Sequence, residues 1–140
     1  MGDQQPPRVL FICVQNAGRS QMAAALFNLR ADGRASAQSA GTRPAPRVHP
    51  VVVRAMREIG LDLDSATPRA LTPDLAAGVA RVVTMGCGDE CPVLGAPTED
   101  WALRDPATLG LPAVRAIRDE IDARVQGLLK ELQGPKVKGS

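Results

Sequence analysis

The sequence predicts a single-domain α/β protein in which a four-stranded parallel sheet lies between two layers of helices. Short apolar runs rich in β-branched residues alternate along the chain with segments whose apolar residues recur every three or four positions. The length of 140 residues suits one domain around one hydrophobic core. No internal repeat interrupts the alternation. Since parallel strands need right-handed helical crossovers, we expect a three-layer α/β/α architecture.

The four predicted strands differ in strength. Arg8–Ile12 and Val79–Met85 are the clearest, because a buried parallel strand is a nearly continuous apolar run. Ala35–Ala40 consists of small residues and depends on its neighbours for burial. Glu99–Leu103 is the shortest candidate. We expect these segments to form the parallel sheet.

The predicted helices follow the strands. The first runs from about Ser20 to Ala31, with Asp32–Gly33 as its C-cap. Apolar residues over Val52–Ile59 mark a second, amphipathic helix. A short helical turn is expected at Asp74–Ala77, and an apolar stripe over Val114–Leu132 predicts a long last helix.

Composition and charge exclude several classes of function. Aromatic residues make up only 2% of the chain and the net charge is +2, so a nucleic-acid-binding surface is not expected. No apolar run is long enough to span a bilayer, and the first seven residues lack the features of an export signal. We therefore expect a cytoplasmic monomer, one domain over 1–140 with flexible tails at 1–7 and 134–140, and no partner that is nucleic acid or membrane.

The segment after the first strand is the most informative about function. It reads Cys13-Val14-Gln15-Asn16-Ala17-Gly18-Arg19-Ser20 and joins a strand to a helix. Such a loop directs backbone N–H groups and a helix N-terminus at one point, where a tetrahedral oxyanion can be held without a metal. Arg19 adds a planar guanidinium suited to two contacts with an oxyanion. The same positive field favours a thiolate at Cys13, which makes this residue a candidate nucleophile.

Three further observations place other candidates near this loop. In parallel α/β sheets the site lies beyond the carboxyl ends of the strands. Cys13, Cys87 and Asp105 each follow a predicted strand, so we expect them at one edge of the sheet. The odd number of cysteines, three, fits a reducing compartment without structural disulfides.

Several motifs taken together resemble a known family. They are Cys13–Ser20 followed by Gln21-Met22-Ala23, then Ser39–Thr42, Val83–Cys87, Cys91-Pro92 and Trp101–Ala107. With this set, the chain resembles, over nearly its whole length, arsenate reductases built on the low-molecular-weight tyrosine phosphatase fold. The pattern C-x5-R alone is shared by several phosphatase classes. The late Asp-Pro and the second pair of cysteines make the resemblance specific.

The resemblance implies a role for each residue of the loop. Arsenate would be held by the backbone N–H groups of residues 13–19 and by the Arg19 guanidinium. Ser20 would support the Cys13 thiolate, and Asn16 would hold the loop in shape. Cys13 would attack arsenic while Asp105, as general acid, protonates the departing oxygen.

The resemblance also implies a thiol relay. Cys87 would open the adduct on Cys13 and release arsenite, and Cys91 would then take over the disulfide with Cys87 for thioredoxin to reduce. The external reductant would be thioredoxin, or mycothiol with a mycoredoxin, and neither a metal nor a tightly bound cofactor is expected. Phosphate and sulfate would compete weakly for the loop.

Several alternatives stay open at the level of sequence. Only three residues separate Cys87 from Cys91, fewer than in thioredoxin-coupled relatives, so a low-molecular-weight thiol could attack the Cys13 adduct instead. Ala24 stands where some relatives carry a glutamate that helps to bind potassium, which leaves cation activation undecided. The rival functions are a tyrosine phosphatase and a non-catalytic oxyanion or redox sensor. A metal site formed by Cys87, Cys91 and His49 is a further alternative, but a single C-x3-C pair falls short of the four ligands that zinc usually takes, and His49 is more simply placed before the second helix.

Overall fold

The computed structural model describes residues 6–86 and 91–133. Cys87 and the expected terminal tails, apart from Pro6 and Pro7, lie outside the described residues. In chain order the elements are β1 (Arg8–Cys13), α1 (Arg19–Ala31), β2 (Ser36–Gly41), α2 (Pro50–Arg57), α3 (Pro73–Ala76), β3 (Arg81–Thr84), β4 (Thr98–Asp100), a 3₁₀ helix (Pro106–Thr108) and α4 (Leu111–Gln133).

All four strands are parallel and lie in the order β2-β1-β3-β4, which confirms the predicted sheet. β1 lies inside the sheet, with Ile12 opposite both Ala40 and Thr84. Its last residue, Cys13, is opposite Gly41 at the carboxyl edge of the sheet. The nucleophile candidate therefore ends a strand that pairs on both sides.

The two faces of the sheet are covered unequally. Alternate residues of β1, such as Val9 and Phe11, pack in a large apolar cluster together with residues of α1, α2 and α4. Leu10 and Ile12 point to the opposite face, where a smaller cluster includes Ala76 of the short α3. This alternation follows from the period of two along a strand. The predicted three-layer architecture is present, with one layer much thinner than the other.

Aromatic contacts fix the centre of the larger cluster. The Phe11 ring lies 6.0 Å from the Phe27 ring and 5.5 Å from the Trp101 ring, measured between centroids. Trp101 is only 3% exposed, and its Nε1 donates a hydrogen bond to Glu99. The side chain is therefore part of the core that supports β1.

Some element boundaries differ from the sequence prediction. β4 ends at Asp100 instead of Leu103, because the chain then turns so that the Leu103 carbonyl accepts a hydrogen bond from Arg19. α2 ends at Arg57, two residues before the predicted end at Ile59. The Ile59 side chain is 39% exposed. The C-cap of α1 is Asp32, which adopts a left-handed conformation with φ of 50°. Across residues 6–86 and 91–133, no helix has both the length and the apolarity needed to cross a membrane.

Candidate active site

The loop between β1 and α1 is braced from outside by the segment 42–49. Four backbone N–H groups of that segment donate to four carbonyls of the loop: Thr42 to Cys13 (3.2 Å), Arg43 to Val14 (2.8 Å), Ala45 to Gln15 (2.9 Å) and His49 to Ala17 (2.9 Å). Among the described residues, no hydrogen bond is donated by the backbone N–H groups of residues 14–18. These N–H groups therefore remain available to an anion.

A small, partly open cleft lies at this loop. It is lined by Cys13, Gln15, Ala17, Gly18, Arg19, His49 and Asp105. The lining thus combines a thiol, one guanidinium and one carboxyl group with backbone of the loop.

Asn16 is the buried centre of the loop. It has a positive φ of 52°, in a region that Asn enters more readily than most residues, and it is fully buried. Its Oδ1 accepts a hydrogen bond from the Arg69 backbone N–H at 3.0 Å, and its Nδ2 donates to Ser20 Oγ at 2.8 Å. These bonds stabilise a backbone conformation that would otherwise be unfavourable.

Ser20 links Asn16 to the candidate nucleophile. Its Oγ lies 2.8 Å from Cys13 Sγ. Because Ser20 Oγ already accepts from the Asn16 amide, its own hydroxyl proton is available to the sulfur. Cys13 carries a free thiol that is 2% exposed.

Arg19 and Asp105 form the polar wall of the cleft. Arg19 is 8% exposed, and its Nη1 donates to the Leu103 carbonyl at 3.0 Å. Its Nη2 lies 3.7 Å from Asp105 Oδ2. Asp105 is 54% exposed, and its Oδ1 accepts from the Ala107 N–H at the start of the 3₁₀ helix. The carboxyl group is thereby fixed at the rim, accessible to solvent and beside the guanidinium.

Two glycines allow the close approaches that complete this wall. A Cβ on Gly18 would lie 2.7 Å from Pro106 Cγ, which is too close for any real side chain. Gly86 has φ of +90°, and a Cβ there would overlap Arg19 Nη1. The absence of side chains at both positions therefore lets the Asp105-Pro106 turn and the Arg19 guanidinium approach the loop.

The structure brings together Cys13, Arg19, Ser20 and Asp105 with the predicted loop residues 14–18. Cys87 lies outside the described residues. Cys91 is disulfide-bonded, partly buried, and packs against the smaller apolar cluster. Within the described part of the chain, no three His, Cys, Asp or Glu side chains are grouped so that they could hold a metal ion.

Sequence reasoning did not place two residues, His49 and Arg69, at this site. His49 precedes α2 as predicted, but it also lines the cleft. As the only histidine of the chain, His49 was a candidate for a polar role, but the sequence did not indicate which site it would join. Arg69 contacts Asn16 through its backbone and donates from Nε to the Ser39 carbonyl at 3.0 Å. No sequence pattern marks that contact.

Comparisons with known proteins agree with this geometry. The profile of the low molecular weight phosphotyrosine protein phosphatase family matches residues 8–138. A protein of Halobacterium salinarum described as a candidate arsenate reductase is 42% identical over 127 residues, covering 86% of this chain and 89% of that protein. The glutaredoxin arsenate reductase of Synechocystis sp. is 31% identical over 129 residues, covering 89% and 98% of the two chains.

A solved structure extends the comparison to three dimensions. The thioredoxin-dependent arsenate reductase of Corynebacterium glutamicum superposes with a TM-score of 0.80 at 40% identity over 94% of this chain. This chain spans 64% of the length of that protein. The extent of the profile match, the sequence relatives and the shared fold lead to one conclusion: the chain belongs to the low molecular weight phosphotyrosine protein phosphatase family.

Proposed function

We propose that this chain is an arsenate reductase that converts arsenate to arsenite with Cys13 as nucleophile. The observation that carries the proposal is the contact between Cys13 Sγ and Ser20 Oγ inside a loop whose backbone N–H groups are unused by the described residues. A tetrahedral oxyanion in that loop would meet those N–H groups and the guanidinium of Arg19 while its central atom faces the sulfur. The names of the relatives supply the substrate.

The first chemical step is a substitution at arsenic. The Cys13 thiolate forms a sulfur–arsenic bond, and one arsenic–oxygen bond breaks. Asp105 gives a proton to the departing oxygen, which leaves as water. The accessible position of the Asp105 carboxyl group, 3.7 Å from Arg19, supports this role, because a general acid must reach the leaving oxygen and then regain its proton from solvent.

The second step transfers two electrons to arsenic. The Cys87 thiolate attacks Cys13 Sγ, a disulfide forms, and the sulfur–arsenic bond breaks with its electron pair remaining on arsenic. Arsenite leaves, and two thiols have been oxidised. Cys91 then attacks Cys87, which frees Cys13 and leaves a Cys87–Cys91 disulfide. Cys13 carries a free thiol, as the nucleophile must at the start of each cycle.

An external dithiol completes the cycle by reducing the final disulfide. We propose thioredoxin as this reductant, because a relative with the same fold is thioredoxin-dependent. The name of another relative includes glutaredoxin, so the coupling differs among similar chains. In a mycothiol-coupled cycle, the small thiol would attack the Cys13 adduct and Cys87 and Cys91 would not turn over.

Phosphate and sulfate are expected to bind the loop without being reduced. Phosphate has nearly the same shape and charge as arsenate, so the N–H groups and Arg19 hold both. Thiols reduce arsenic(V) but do not reduce phosphorus(V). Discrimination therefore lies in the redox step, and phosphate acts as a competitive inhibitor.

The decisive experiment measures NADPH oxidation and arsenite formation when arsenate is added to the pure protein. One assay contains thioredoxin and its reductase, and the other contains mycothiol with a mycoredoxin system. We expect turnover with thioredoxin, none in Cys13→Ser, and one arsenite per enzyme without steady turnover in Cys91→Ser. Appreciable reduction by Cys13→Ser would refute the mechanism. Thioredoxin-driven turnover that survives Cys87→Ser would remove Cys87 from the pathway.

The same preparation separates the rival functions. Hydrolysis of a phenyl phosphate without arsenate reduction would establish a phosphatase instead. Inactivity in every assay, with tight oxyanion binding retained, would favour a sensor. Asp105→Asn distinguishes these cases, because a sensor does not need a general acid.

A further inference from the structure

We propose that Gln21 is a positioning residue that fixes the direction of the Asn16 side-chain amide and thereby keeps the Ser20 hydroxyl donating to Cys13. This inference rests on the proposed role of Cys13 as the nucleophile. Gln21 is not among the residues that line the cleft, and its described side-chain hydrogen bonds go to Asn16, so we infer that it acts through Asn16.

Gln21 lies in the first turn of α1 and is 7% exposed. Its Nε2 donates to two oxygens of one residue, the backbone O of Asn16 at 3.1 Å and Oδ1 of Asn16 at 3.2 Å. A buried amide is unfavourable unless it is hydrogen-bonded, and an apolar side chain would fill the same space without that requirement. We therefore attribute the polar side chain at position 21 to its two hydrogen bonds with Asn16.

The Asn16 amide has two orientations of nearly equal shape, because oxygen and NH₂ are similar in size. Two donors face one end of it: Gln21 Nε2 and the backbone N–H of Arg69. Only an oxygen can accept from both. Oδ1 must therefore face Gln21 and Arg69, which leaves Nδ2 facing Ser20 Oγ at 2.8 Å.

This orientation decides which way the Ser20 proton points. Nδ2 can only donate, so Ser20 Oγ accepts from it and directs its own proton to Cys13 Sγ, 2.8 Å away. In the flipped orientation, the amide oxygen would take the hydroxyl proton of Ser20. A lone pair of Ser20 would then face the sulfur and disfavour the thiolate.

Of the two donors to Asn16 Oδ1, the Gln21 side chain is the one that a substitution can remove. The second donor is the backbone N–H of Arg69, which every substitution except proline retains. Gln21 also donates to the carbonyl of Asn16, whose left-handed backbone needs support. Loss of the Gln21 donor therefore leaves a single donor to hold the amide, and the two orientations become closer in energy.

The test follows the alkylation of Cys13 by iodoacetamide as a function of pH, in a Cys87→Ser/Cys91→Ser background where Cys13 is the only thiol. We expect Gln21→Met to raise the midpoint of the alkylation rate by about one pH unit, the size expected when a hydrogen bond to a charged group weakens. Gln21→Glu, which keeps polarity and size but loses the donor, is expected to raise it at least as much. The matched control, Gln126→Met at an exposed glutamine of α4, is expected to leave it unchanged.

A second substitution separates positioning from a general loss of structure. In a Ser20→Ala background the hydroxyl is absent, so Gln21→Met should produce no further shift of the midpoint. An unchanged midpoint in both Gln21 variants would overturn the proposal, and so would an equal shift with and without Ser20. Because thiol alkylation needs no arsenate turnover, this result stands independently of whether the chain reduces arsenate.

Discussion

A methyl group added at Gly86 would change the position of the Arg19 guanidinium without altering any group proposed to take part in the chemistry. Gly86 follows β3 with φ of +90°, and a Cβ built there overlaps Arg19 Nη1. The overlap is relieved when the end of the Arg19 side chain moves. That movement would break the 3.0 Å hydrogen bond from Nη1 to the Leu103 carbonyl.

The expected magnitude has two parts. A non-glycine residue in the left-handed region costs about 1–2 kcal/mol of folding free energy. The displaced guanidinium loses a hydrogen bond involving a charged group, which is worth about 1.5–3 kcal/mol. If arsenate in the transition state loses a contact of similar strength, kcat/KM falls by about ten- to a hundredfold. Gly86→Ala should therefore be moderately unstable and strongly impaired.

Gly60→Ala is the matched control. Gly60 also has a positive φ, +83°, and nothing lies within 4 Å of a Cβ built on it. This variant carries the backbone strain without the overlap. Urea unfolding of both variants measures the shared loss of stability, and arsenate-dependent kcat/KM measures the effect of the overlap alone. Equal losses of stability with kcat/KM of the two variants within twofold of each other would refute the argument that Gly86 makes room for Arg19.

Three further predictions concern the general acid, a surface charge network and the core. Asp105→Asn is expected to lower kcat by about a hundredfold or more, because no general acid remains. Phosphate should still protect Cys13 from alkylation, since the amide oxygen can keep the Ala107 contact. A kcat near that of the parent would exclude Asp105 as the acid. The hydrogen bond from Arg115, aided by Arg118, lowers the pKa of Glu58 from about 4.5 to about 2. The stabilising effect of the charged Glu58 is thus present above about pH 4.5 and is lost as pH falls towards 2. The Tm difference between the parent and Glu58→Gln should therefore be largest near neutrality and vanish near pH 2. A Tm difference that stays constant with pH would contradict this. Phe27→Ala removes a fully buried ring beside Phe11 and should reduce the free energy of unfolding by about 3–5 kcal/mol in urea, whereas a loss below about 1 kcal/mol would contradict the packing.

The fold class was predictable because the signals that determine it are local. The continuous apolar run of β1 predicted a buried central strand, and the spacing of apolar residues in α1 and α4 predicted helices that cover it. The ends of β4 and α2 were predicted less well. Those ends depend on contacts with distant residues, such as the bond from Arg19 to the Leu103 carbonyl.

For the candidate site, the sequence alone determined that a C-x5-R-S segment would join β1 to α1, because the strand, the segment and the helix are contiguous in the chain. The sequence also predicted that this loop binds an oxyanion, with Cys13 as nucleophile. Tertiary structure alone decided what surrounds that loop. The N–H of Arg69 reaches Asn16 from 53 positions away, and His49 enters the cleft from the bracing segment. Tertiary structure also decided which way the Asn16 amide points, because a hydrogen bond depends on the distance and direction between two groups in space. Residue spacing along the chain specifies neither of these for groups that only folding brings together.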